Sequence, residues 1–137
     1  MKIPVADTRI CLLGHSQPLL EALKTLIPVH YSAVVFELPE GEILQQLPRE
    51  ILQHCDILLL DHASLWGDSS RQLREVCERF PRLPVMVIGS YTEMPFVQNI
   101  FHQGVTGYIH TDTSAEELDR AFQTILDGKP YLSPGLV

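Results

Sequence analysis

Positive charge is scarce in this chain. Its 137 residues carry 10 Lys and Arg against 17 Asp and Glu, a formal net charge of −7. A phosphate backbone needs a basic face to meet it, so this segment is not expected to hold nucleic acid by itself. Long apolar runs are also missing. None approaches the roughly 18 residues of a spanning helix, and Met1-Lys2 is followed by no apolar leader core. No membrane contact and a cytoplasmic location are therefore expected. The three cysteines, Cys11, Cys55 and Cys77, have no metal spacing and read as small buried hydrophobes in a reducing compartment. Nucleotide-binding glycine motifs are absent. Gly14-His15-Ser16-Gln17 lacks the second glycine of a nucleophile elbow. No enzyme activity and no cofactor are predicted.

What remains is an alternation of strand-like and helix-like segments. Apolar runs at residues 9–13, 33–36, 56–61, 83–89 and 107–109 predict five strands. Ser16 stands as N-cap and Pro18 in the first turn of a helix whose stripe is Leu19, Leu20, Leu23 and Leu26. Pro48 interrupts the apolar pattern of residues 41–53, so a short or kinked helix is expected there. Ser69 or Ser70 opens the next helix. A further helix at 95–103 ends at Gly104, a left-handed cap. Thr113 and Glu116 are spaced as a capping box for the last helix, which stops at Gly128. Five such units predict an α/β fold. It is a flavodoxin-like, doubly wound parallel sheet of order 2-1-3-4-5, with helices on both faces. Ligands in such sheets bind at the carboxyl edge. That edge collects His15 and Ser16, Asp61, Gly89 and Ser90, and Thr111.

Two motifs are specific. Gly104-Val105-Thr106-Gly107-Tyr108-Ile109-His110-Thr111-Asp112-Thr113-Ser114-Ala115-Glu116-Glu117-Leu118 resembles the fifth-strand segment of NarL/FixJ-type (LuxR-type) response-regulator receiver domains. Gly128-Lys129-Pro130-Tyr131-Leu132-Ser133-Pro134 is similar to the tail that leaves those receivers. Asp56-Ile57-Leu58-Leu59-Leu60-Asp61 is similar to their phosphoacceptor strand. The resemblance implies an N-terminal extension at 1–7 and a receiver at 8–130. It also implies, at 131–137, the start of a linker to a DNA-binding helix-turn-helix domain, through which alone DNA would be contacted.

The resemblance also implies a two-component site, with Asp61 at the position that takes a phosphoryl group from a histidine kinase. Around it the pattern departs. The acid pair that holds Mg²⁺ falls on His15 and Ser16. The hydroxyl position falls on Gly89, with Ser90 one residue late. The lysine falls on Thr111. Tyr108 keeps the place of the switch aromatic. Phosphoryl transfer is mostly positioning and charge neutralisation. Weak or absent Mg²⁺ binding and a phosphate-independent pseudo-receiver are therefore expected. A working receiver phosphorylated on Asp61, and a small-molecule sensor using the vacated pocket, are the alternatives.

Several residues carry two readings. His15 is either a charge partner for Asp61 or a polar filler at the sheet edge. His15, His62 and Asp61 together have no metal-site signature, and neighbouring strand residues point to opposite faces. Trp66 follows Asp61 and either covers the pocket or meets a partner. A homodimer is expected, with Phe96, Val97, Leu118 and Phe122 as candidate contacts. The bland reading makes Phe96, Val97, Ile100 and Phe101 core or scattered surface residues.

Overall fold

The computed structural model describes residues 8–39, 41–65 and 67–137. The extension at 1–7 and Trp66 lie outside the described residues. The strands are β1 (Arg9–Gly14), β2 (Ser32–Glu37), β3 (Ile57–Asp61), β4 (Val85–Gly89), β5 (Gly107–His110) and β6 (Tyr131–Leu132). They form one sheet in the order β2-β1-β3-β4-β5-β6, and every pairing is parallel. The doubly wound order expected from the sequence holds for the first five. The sixth was not expected. Tyr131 and Leu132 lie beside Gly107 and Tyr108, so the segment read as the start of a linker adds an edge strand.

Among the described residues six α-helices cover the sheet: α1 (Gln17–Leu26), α2 (Ile43–Gln46), α3 (Arg49–Leu52), α4 (Ser69–Arg79), α5 (Met94–His102) and α6 (Ala115–Leu126). Strand alternation sorts the core into two layers. Cys11, Leu13, Leu58, Leu60, Val85 and Val87 face α2 to α5. Ile10, Leu12, Ile57, Leu59, Met86 and Ile88 face α1 and α6. Both faces are covered, which is why these strands read as continuous apolar runs.

Local chemistry sets the helix ends. Ser16 caps α1 by accepting from the Leu19 amide at 3.3 Å. Pro48 splits the second helical segment into α2 and α3, because it can neither donate to nor continue the first turn. Gly104 follows α5 at φ +108, where an L side chain is strained. α4 opens at Ser69, as expected, and Asp68 caps it by accepting from Arg71 N. One cap differs from expectation. Ser114, rather than Thr113, caps α6 by accepting from Glu117 N at 3.1 Å.

Three of the four candidate contact residues are core. Val97, Leu118 and Phe122 are each 0% exposed, because the apolar stripes of α5 and α6 lie directly on the sheet. Phe96 alone projects outward, 51% exposed. Phe122→Ala is therefore expected to cost about 3–5 kcal/mol of stability, and Phe96→Ala about 1 kcal/mol or less. Urea unfolding of the two variants checks the contrast.

Candidate functional site

β3 delivers Asp61 to the carboxyl edge, and the chain then makes one 3₁₀ turn, His62–Ser64. Asp61 is 5% exposed and caps that turn itself. Its Oδ1 accepts from Ala63 N at 3.2 Å and its Oδ2 from Ser64 Oγ at 3.3 Å. A buried carboxylate requires such donors, since burial without them is costly. Ser64, also buried, accepts in turn from His15 N at 2.9 Å. The end of β1 is thus tied to the end of β3 through one hydroxyl. Gly14 permits the approach: a Cβ there would stand 3.0 Å from both Asp61 Cβ and Ser64 Oγ.

The two residues at the acid-pair positions are engaged elsewhere. Ser16 Oγ is the cap of α1. The Nδ1 of His15 lies 2.5 Å from the Leu38 carbonyl, which fixes that nitrogen as a donor directed past the end of β2. Mg²⁺ takes carboxylate and water oxygens in octahedral geometry. One carboxylate whose oxygens already accept from its own chain, with a histidine and a capping serine beside it, does not fit that ion. Among the described residues no group of three or more His, Cys, Asp or Glu is placed to hold a metal, His15, His62 and Asp61 included.

At the end of β4, Gly89 is buried and Ser90 is exposed. The ring of Tyr108 fills the space above Gly89. A Cβ at 89 would meet Tyr108 Oη at 3.1 Å and Cε1 at 3.3 Å. Tyr108 is 0% exposed, and its hydroxyl donates to the Tyr91 carbonyl at 2.8 Å. Burial pushes its pKa up. From Tyr91 an aromatic row runs both ways. His62 meets its ring edge-on at 5.3 Å, and Phe96 stacks on it at 5.2 Å with 13° between planes. Thr111, at the lysine position, is exposed, and its amide donates to the Gly89 carbonyl at 3.0 Å. A threonine there supplies no cation to the edge.

Sequence reasoning placed Asp61, His15, Ser16, Gly89, Ser90 and Thr111 on one edge, and the sheet brings them there, with the Tyr108 ring reaching Gly89 from within β5. It missed Ser64 and Tyr91. The Asp61-x-x-Ser64 spacing is a turn-capping signal that was available. Tyr91 carries none, because its role rests on a backbone carbonyl.

Comparison with known proteins gives the fold its context. No protein-family model matches the chain. It is 25% identical over 88 residues to the oxygen regulatory protein NreC of Staphylococcus carnosus, covering 63% of this chain and 41% of that protein. It is 21% identical over 127 residues to the transcriptional regulatory protein DegU of Brevibacillus brevis, covering 92% of this chain and 53% of that one. The chain thus spans about half the length of these curated relatives. A LuxR-family two-component response regulator from an Aurantimonas species superposes with a TM-score of 0.78 at 22% identity, over 95% of this chain and 92% of that one. The isolated receiver domain of RcsB from Salmonella enterica gives 0.77 at 13% identity, over 94% and 95%. This chain has the receiver-domain fold.

His62 is the titratable group nearest Asp61 in sequence. Burial lowers its pKa from 6.5, and the Asp61 charge opposes that only in part. A histidine depressed in the folded state contributes stability above its unfolded pKa. That contribution is lost as pH falls below about 6.5 towards the folded value. The stability difference between about pH 7.5 and about pH 5.5 is therefore expected to shrink in His62→Gln. Urea midpoints at both pH values check this, together with an NMR titration midpoint for His62 below 6.5.

Proposed function

We propose that this chain is a receiver-type signalling module that acts through protein contact, without phosphorylation of Asp61, as the dimerising part of a cytoplasmic transcription regulator. The observation that carries this reading is the closed state of the edge. Asp61 caps its own turn, and Tyr108 already lies inward over Gly89. In a switching receiver, a modified carboxylate gains by recruiting a cation, a hydroxyl and a lysine. Here the hydroxyl position is a glycine whose space is taken, and the lysine position is an exposed threonine. A ligand shifts a two-state domain only by its differential affinity for the states. A phosphoryl group on Asp61 has no grip of that kind to offer.

Contact with DNA, on this reading, belongs to a further domain, in keeping with the net charge of −7. Partners are a second copy of the chain or another signalling protein, a histidine kinase among the latter. No helix among the described residues is long and apolar enough to cross a membrane. The names of the relatives, an oxygen regulatory protein and a transcriptional regulatory protein, agree with a regulatory role.

Incubation with acetyl phosphate and Mg²⁺ is expected to leave the intact mass unchanged. A stoichiometric phosphoryl adduct on Asp61 would establish the working receiver instead. A retained small molecule in native mass spectrometry would favour the sensor. The lock itself is tested at Gly89. Gly89→Ala is expected to cost about 1–3 kcal/mol by overpacking against Tyr108. Combined with Tyr108→Phe, the cost should be less than the sum, since removing the hydroxyl relieves the contact.

A further inference from the structure

We infer that residues 129–137 form a strap that couples the Tyr108–Tyr91 contact to the position of the chain beyond β6, whether or not Asp61 is ever modified. The strap begins where Gly128, at φ +82, turns the chain out of α6. Tyr131 N then donates to the Thr106 carbonyl and Ser133 N to the Tyr108 carbonyl, both at 3.0 Å. The residue whose side chain fills the space over Gly89 therefore also holds the strap through its backbone.

Two further fastenings pin it. Ser133, 4% exposed, accepts from His110 N at 2.9 Å and donates to Glu117 Oε2 at 2.7 Å. The Tyr131 hydroxyl donates to the same oxygen at 3.0 Å. Glu117 thus clamps two strap residues from α6. At the far end, Val137 N donates to the Thr92 carbonyl at 2.9 Å, and Met94 N donates to the Val137 carbonyl at 2.6 Å. This second bond has a structural purpose. Glu93, the N-cap of α5, makes no side-chain cap. The first amides of a helix have no partner within it. The Val137 carbonyl supplies the missing acceptor.

Between its fastenings the strap borders an open hollow of about 350 Å³, which Thr92, His110, Asp112 and Glu117 line from the body of the domain. The strap is fastened at residues 131–133 against β5 and α6 and again at Val137 against the start of α5. The segment 91–94 lies between two holds. From inside, Tyr108 binds the carbonyl of Tyr91; from outside, Val137 binds Thr92 and Met94. Neither hold can be released without loosening a segment of four residues that the other also grips. A coupling of this kind acts equally in both directions.

Hydrogen exchange on the full chain tests it. Tyr108→Phe removes only the hydroxyl. It is expected to speed exchange of the Met94 and Val137 amides by about tenfold or more, while the core amides of Leu59 and Val87 keep their protection. Should Tyr108→Phe loosen the whole domain, Glu117→Gln decides from the other end. It should speed exchange at Ser133 and also at Met94, whereas Glu116→Gln leaves both unchanged. Met94 and Val137 exchange within about twofold of the parent in the folded variants would overturn the coupling and reduce the strap to an edge cover.

Discussion

One hydrogen bond, from the buried Tyr108 hydroxyl to the Tyr91 carbonyl, holds the functional edge together. A phenol brought into a core keeps its hydroxyl only if that hydroxyl finds an acceptor. Here the acceptor is a backbone carbonyl on the loop between β4 and α5, so loop and sheet move as one. Gly89 is the other half of the arrangement. Any larger residue at that point of β4 would meet the tyrosine at 3.1 Å. The ring's place and the glycine's bareness require each other, and the stack from His62 through Tyr91 to Phe96 builds outward from them.

Asp61 follows the same logic of satisfaction from within. A carboxylate at the end of a buried strand needs donors, and a cation is only one way to supply them. This chain uses the amide and hydroxyl of its next three residues, Ala63 N and Ser64 Oγ. His15 and Ser16 bring no carboxylate of their own to the site. Ser64 then serves twice, because its oxygen also receives the amide of His15. Cap, strand end and neighbouring strand share a single hydroxyl.

The fold was legible because a parallel sheet buried on both faces writes itself as apolar runs. Ile57 to Leu60 and Val85 to Ile88 needed no periodicity to be read. The carboxyl-edge residues were legible by position, since strand ends fix them. What could not be read depended on contacts between distant positions. The tie from His15 to Ser64 spans 49 residues of sequence. Tyr131 and Leu132 make a strand too short for any pattern, and their partner is β5, far back in the chain. The stripe of α5 was ambiguous for a different reason. Amphipathic spacing says which residues share a face, not which face meets the sheet. Val97 is buried and Phe96 exposed although they are adjacent.

The sixth strand has a consequence for how the domain meets anything else. An uncovered β5 would present a row of unpaired backbone groups, a template for unwanted pairing. Two residues of β6 and the hydroxyl of Ser133 close most of that row. The closure leaves apolar groups outside it. Among the described residues the exposed large hydrophobics are Val29, Phe96, Leu132 and Val137. Three of these lie on α5 or the strap. Leu132 also shares a surface hollow with Met94, Val97 and Phe101. The device that seals the edge against β pairing therefore concentrates exposed apolar surface beside it.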